Sequence, residues 1–134
     1  MKSRDTLIRL KKFQADDRRK RVAQIEAMIA EFTRMAGDLD REIATEEQRS
    51  GNANPAHFAY STYARAARGR RDNLKNSADE LRGQLEEAKA RLAEALEEVA
   101  KAQSLDGRDK SERVIESMRD RADPNLIGLR PLGA

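Results

Sequence analysis

Cysteine is absent from this 134-residue chain, tryptophan is absent, and Phe and Tyr together supply only 4% of the residues. Without cysteine there is no disulfide framework, no thiolate nucleophile and no sulfur ligand for a metal. His57 is the single histidine, so no zinc set can be assembled within one chain. A chain this size with 38% charged residues and so few aromatics is poorly suited to closing a rounded core. No glycine-rich loop follows a strand-like run, so no nucleotide cradle is expected. Apolar runs are a few residues long, too short to span a bilayer. The opening Met1-Lys2-Ser3-Arg4-Asp5 leads into charges rather than the apolar stretch of a secretory signal. The acid pairs Glu46-Glu47, Glu86-Glu87 and Glu97-Glu98 sit among Lys and Arg and read as solvated helix faces. These absences lead us to expect a non-enzymatic cytoplasmic protein without cofactor or metal.

What the chain does contain is a seven-residue hydrophobic repeat, in two segments. Steps of three and four from Ile8 pass through Lys11, Ala15, Arg18, Val22, Ile25, Ile29, Phe32, Ala36 and Leu39 to Ile43, and nine of the eleven positions are apolar. The same stepping from Tyr60 to Ala102 meets twelve apolar or aromatic residues in thirteen, broken only by Arg71. A 3.5-residue period keeps a narrow stripe on one partner helix, whereas a helix in a compact bundle needs a wider apolar face. The expected fold is therefore all-α, with two long helices in an antiparallel left-handed coiled-coil hairpin. Its hairpin spans residues 1–106, with a helix over about 4–49, a turn at 50–55 and a helix over about 56–106. Gly51 suits the left-handed end of a helix. Asn54 and Pro55 read as the N-cap and first residue of the next one.

Charge supports an antiparallel register that sets Ile8 opposite Val99 and Ile43 opposite Ala64. Residues 1–21 hold nine Lys/Arg and three Asp, and the segment expected opposite, 86–106, holds six acids and three bases. The cluster Arg65, Arg68, Arg70, Arg71 and Lys75 falls beside Asp38, Asp40 and Glu42. Opposite charges across a seam select orientation more than they add stability. Gly37 and Gly69 fall at one level of the hairpin and predict a flexible point there. Beyond Gly107 we expect a charged helical extension around Val114, Ile115 and Met118. The segment from Pro124 onward reads as a disordered tail, which the fraying of termini favours, or as an apolar docking motif. Met28 and Met35 flank the seam and offer a route for two hairpins to pair, but heptads alone leave the oligomeric state open.

Two surfaces are candidate sites. Around the turn, His57, Phe58, Tyr60 and Tyr63 gather beside Arg65 and Arg68, either closing the end of the seam or forming an interface hot spot. In the N-terminal arm, Lys11, Lys12, Arg18, Arg19, Lys20 and Arg21 form a basic run. Such a run can bind phosphate by counterion release. With no stacking aromatics within it and a net charge of only +3, nucleic acid is the lesser reading and an acidic protein partner serves equally well.

The opening MKSRDTLIRLKKFQ, the stretch VAQIEAMIAEF followed by DLDREIA, the segment HFAYSTYARAARGRR and the run NLKNSADELRGQLEEA together resemble the flagellar export protein FliJ family, in its alphaproteobacterial form. The resemblance covers about Met1 to Leu105 and leaves the tail from Gly107 unmatched. It implies a cytoplasmic two-helix coiled coil of the flagellar type III export apparatus, similar to the central stalk of rotary ATPases. Implied partners are the hexameric export ATPase, the membrane export gate protein and export chaperones. On this basis the segment HFAYSTYARAARGRR (57–71), with the acidic end of the first helix, is expected to meet the gate, and the basic first helix with the end of the second to meet the ATPase. Alternative readings are a coiled-coil chaperone or stalk of another secretion system, and a nucleic-acid-binding hairpin.

Overall fold

The computed structural model describes residues 2–121, which form α1 (Lys2–Ser50) and α2 (Thr62–Arg121), with no strand among the described residues. The fold is an all-α antiparallel coiled-coil hairpin. Of the eleven stripe positions in α1 only Arg18 is exposed, and none of the thirteen from Tyr60 to Ala102 is. The 3.5-residue period thus selects which residues leave water.

The chain divides into two compact units. One joins the start of α1, through Ala15, to α2 from Glu94 onward; the other is Asp16–Ala93. Within the Asp16–Ala93 unit, Ile25 packs with Leu81 and Ala88, and Val22, Ile29, Phe32 and Leu85 close around them. A second cluster joins Leu39, Ile43 and Ala67, with Leu74 against it. Large side chains on α1 meet both leucines and alanines of α2, and the alanines let the backbones approach closely. Arg71 interrupts the stripe with its stem packed and its guanidinium turned out to Asp40 (3.0 Å) and Asp72 (3.0 Å).

In the other unit the stripe turns polar. Lys11 reaches Glu98 at 3.6 Å, and Arg4 reaches Asp109 at 3.0 Å. Asp106, one heptad step beyond Ala102, is buried and bonds Lys110 at 3.0 Å. From residue 111 to 121 every α2 side chain is exposed, Val114, Ile115 and Met118 included.

The connection corrects the expected element boundaries. Gly51, at φ +74°, ends α1, and its N–H bonds the carbonyls of Glu47 (3.0 Å) and Gln48 (3.3 Å). The next helix starts at Thr62 rather than near residue 56. Asn54 is no N-cap: its Oδ1 accepts from the Ala56 N–H at 3.1 Å, and its carbonyl accepts from His57 N–H at 3.0 Å, making a turn instead. The N-cap is Ser61, whose Oγ accepts from the Ala64 N–H at 3.2 Å and donates to Glu46 Oε1 at 3.0 Å. At the other end α2 continues through Gly107 to Arg121, beyond the expected stop near 106. Pairs four residues apart, Asp106–Lys110 and Asp109–Arg113, carry the helix across the glycine. The expected tail from Pro124 lies outside the described residues. Both helices run unbroken through Gly37 and Gly69.

Candidate partner-binding surfaces

The aromatic group near the turn separates into two parts. Tyr60 lies in the linker, outside any helix, yet is only 4% exposed and closes the end of the seam. Its hydroxyl is buried with no hydrogen-bond partner among the described residues. Arg65 sits over its ring at 5.4 Å from the centroid, a cation–π distance. Arg68 is half-buried. Phe58, by contrast, is 94% exposed and stacks on His57 with ring centroids 4.6 Å apart. His57 Nδ1 accepts from the Ala59 N–H at 3.0 Å, which fixes the ring that backs Phe58.

Tyr63, in the first turn of α2, is exposed, and its hydroxyl donates to Glu42 Oε2 at 3.1 Å. That bond, then the carboxylate's charge, pushes the Tyr63 pKa up, so the phenol stays protonated and donating. Glu42, Thr45, Glu46, Arg49 and Tyr63 line an open cleft of about 780 Å³. Of these aromatics, Tyr60 serves the seam while Phe58 and Tyr63 stay exposed.

The basic arm is also divided. Lys11 and Lys12 belong to the unit that contains Glu94 onward, and Arg18 to Arg21 to the Asp16–Ala93 unit. Lys11 is engaged by Glu98 and Arg19 by Asp16 (2.9 Å). Lys12 and Lys20 stand in solvent. Arg18 and Arg21, with Arg91 from α2, border a groove of about 360 Å³ floored by Ile25 and Ala88. None of these three guanidiniums lies within ion-pair distance of a carboxylate among the described residues.

Sequence reasoning did not find the polar cluster at Asp106. The Lys110 hydrogen bond holds its carboxyl below the usual aspartate range against the opposing effect of burial, and Arg4 adds to the lowering. The same bond raises Lys110. A stripe position occupied by Asp with Lys four residues on was the signal available. Among the described residues no helix is long and apolar enough to cross a membrane, and no three carboxylates or imidazoles gather as metal ligands. No family model, no curated protein and no solved structure matches the chain.

Proposed function

We propose that this chain is a stalk-like coiled-coil adaptor of the flagellar type III export apparatus. In this reading it binds the hexameric export ATPase and the membrane export gate and helps deliver chaperone–substrate complexes. It catalyses nothing itself, and it works in the cytoplasm, peripherally held at the inner membrane. The observation that carries the reading is Phe58. An aromatic side chain left 94% in water and braced by His57 is poorly explained by folding alone. It lies within the HFAYSTYARA segment, the part of the FliJ resemblance that an antiparallel seam has least need of.

The basic arm supports the second contact. Among the described residues Arg18, Arg21 and Lys20 form no ion pair, which suits an acidic protein surface. Lys11 and Arg19, already bound to carboxylates, contribute less.

Deletion of the encoding gene tests the reading. Loss of motility and of secreted flagellar subunits, restored by the intact gene and not by a Phe58→Ala copy, is expected. Intact motility after deletion would instead favour a coiled-coil chaperone or stalk of another secretion system. Retention on DNA or RNA at physiological salt would favour the nucleic-acid reading.

A further inference from the structure

Arg21, Met28, Met35 and Glu42 are spaced by seven along α1, so they form one row on one side of the helix. The grooves of the Asp16–Ala93 unit open along this row. Arg21 borders the arginine-lined groove with Arg18 and Arg91. Met35 and Glu42 border a second groove, of about 460 Å³, whose floor is Leu39 and Leu74. Met28 and Met35, between the two ends, are 42% and 39% exposed. The face thus carries a surplus of positive charge at one end, where Arg18, Arg21 and Arg91 outnumber Glu87, and of negative charge at the other, where Asp38 and Glu42 outnumber Arg70, with the two methionines between.

We propose that this face pairs with the same face of a second copy, antiparallel, about a two-fold axis midway between Met28 and Met35. A two-fold interface is self-complementary, so each contact occurs twice. In this register Arg21 meets Glu42 of the other copy, and Met28 enters the Met35–Leu39–Leu74 groove. The acidic end of each row meets the arginine-lined groove of the other.

The charges select this arrangement. Among the described residues Arg18, Arg21 and Arg91 form no ion pair, although Glu87 lines their groove, and Glu42 forms none either, accepting a hydrogen bond from the neutral hydroxyl of Tyr63. A parallel pairing would set Arg21 on Arg21 and Glu42 on Glu42, a repulsive arrangement. An unrelated acidic partner would satisfy the arginines but leave the two methionines and Glu42 unmet. From Arg21 to Glu42 the row runs about 32 Å at 1.5 Å per residue. Pairing covers Arg18 and Arg21, so it competes with any other use of those side chains. It needs no export partner, and its failure would leave the export reading untouched.

Sedimentation equilibrium of the full chain tests the proposal. A monomer–dimer equilibrium is expected, with Arg21→Glu and Glu42→Arg each weakening it about tenfold or more and the double exchange restoring it. Because the chain has no cysteine, Met28→Cys/Met35→Cys reads the register directly and should oxidise to a covalent dimer. These positions are exposed, and far-UV circular dichroism verifies that each variant keeps its helices. A chain monomeric at all concentrations, a dimer indifferent to Arg21→Glu, or failure of the cysteine pair to cross-link would overturn the proposal.

Discussion

At the scale of single residues, the side chains that matter most are those whose surroundings conflict with their chemistry. Tyr60 buries a hydroxyl that bonds nothing in the described residues. Removing a buried polar atom without a partner costs little and can stabilise. Tyr60→Phe is expected to leave the unfolding free energy unchanged or raise it by up to about 1 kcal/mol, measured by urea titration. Ser61→Ala is the contrast, since it removes both the cap of α2 and the link to Glu46. A loss of about 1 kcal/mol or more is expected in the same assay.

Asp106 predicts a pH dependence. A carboxyl with a lower pKa in the folded state binds fewer protons there, so stability rises with pH across that window. Its contribution is complete above the ordinary aspartate range and is lost as pH falls through the lowered folded value. Lys110, raised by the same bond, contributes fully below the ordinary lysine range and loses that contribution as pH rises through its raised value. An Asp106→Asn variant should therefore show a shallower decline of the urea midpoint in acid than the parent. An unchanged acid limb would contradict the assignment.

At the scale of elements, the seam was legible and the connection was not. A 3.5-residue period depends only on which residues are apolar, and burial follows it through both helices. Element ends depend on competing local bonds. Asn54-Pro55 carries the same signal as an N-cap with its first helical residue, yet the Asn54 side chain is spent on the Ala56 N–H. Ser61 prevails because its hydroxyl serves Ala64 and Glu46 together, a contact from a distant helix that local sequence does not contain. Tyr60 kept the heptad phase without being helical, so the stripe pointed to an earlier start of the second helix than the structure has. The candidate site was half legible for the same reason. The aromatics were visible in sequence, but which of them faces water was decided by that boundary.

Two substitutions test the packing argument for the elements. Ile25, 1% exposed at the centre of its cluster, should cost about 2–5 kcal/mol as Ile25→Ala, because the surrounding helices cannot close the cavity fully. At Gly69 an added Cβ meets nothing within 4 Å, and the backbone is helical. Gly69→Ala should stabilise by about 0.5–1 kcal/mol and reduce amide exchange around it, which would remove the flexible point that the glycine predicts. No change in exchange at that level would count against such a point.

At the scale of the whole molecule, the proposal of partner binding rests on what folding leaves unused. The seam consumes nearly all the large aliphatic side chains of the Asp16–Ala93 unit. It leaves Phe58 and Tyr63 exposed and the arginines about Arg21 bordering an open groove. Phe58→Ala should therefore leave the melting temperature within experimental error while abolishing binding to the cytoplasmic part of the export gate, a separation that calorimetry and a pull-down read together. A large fall in melting temperature would return Phe58 to a structural role.

The most direct measurement is the turnover of the purified flagellar export ATPase from the same organism, with and without this chain. The export reading predicts stimulation or a shift toward the hexameric ring, weakened when Arg18, Lys20 and Arg21 are reversed in charge. Turnover and assembly that stay unchanged at saturating concentrations of the folded chain would contradict it.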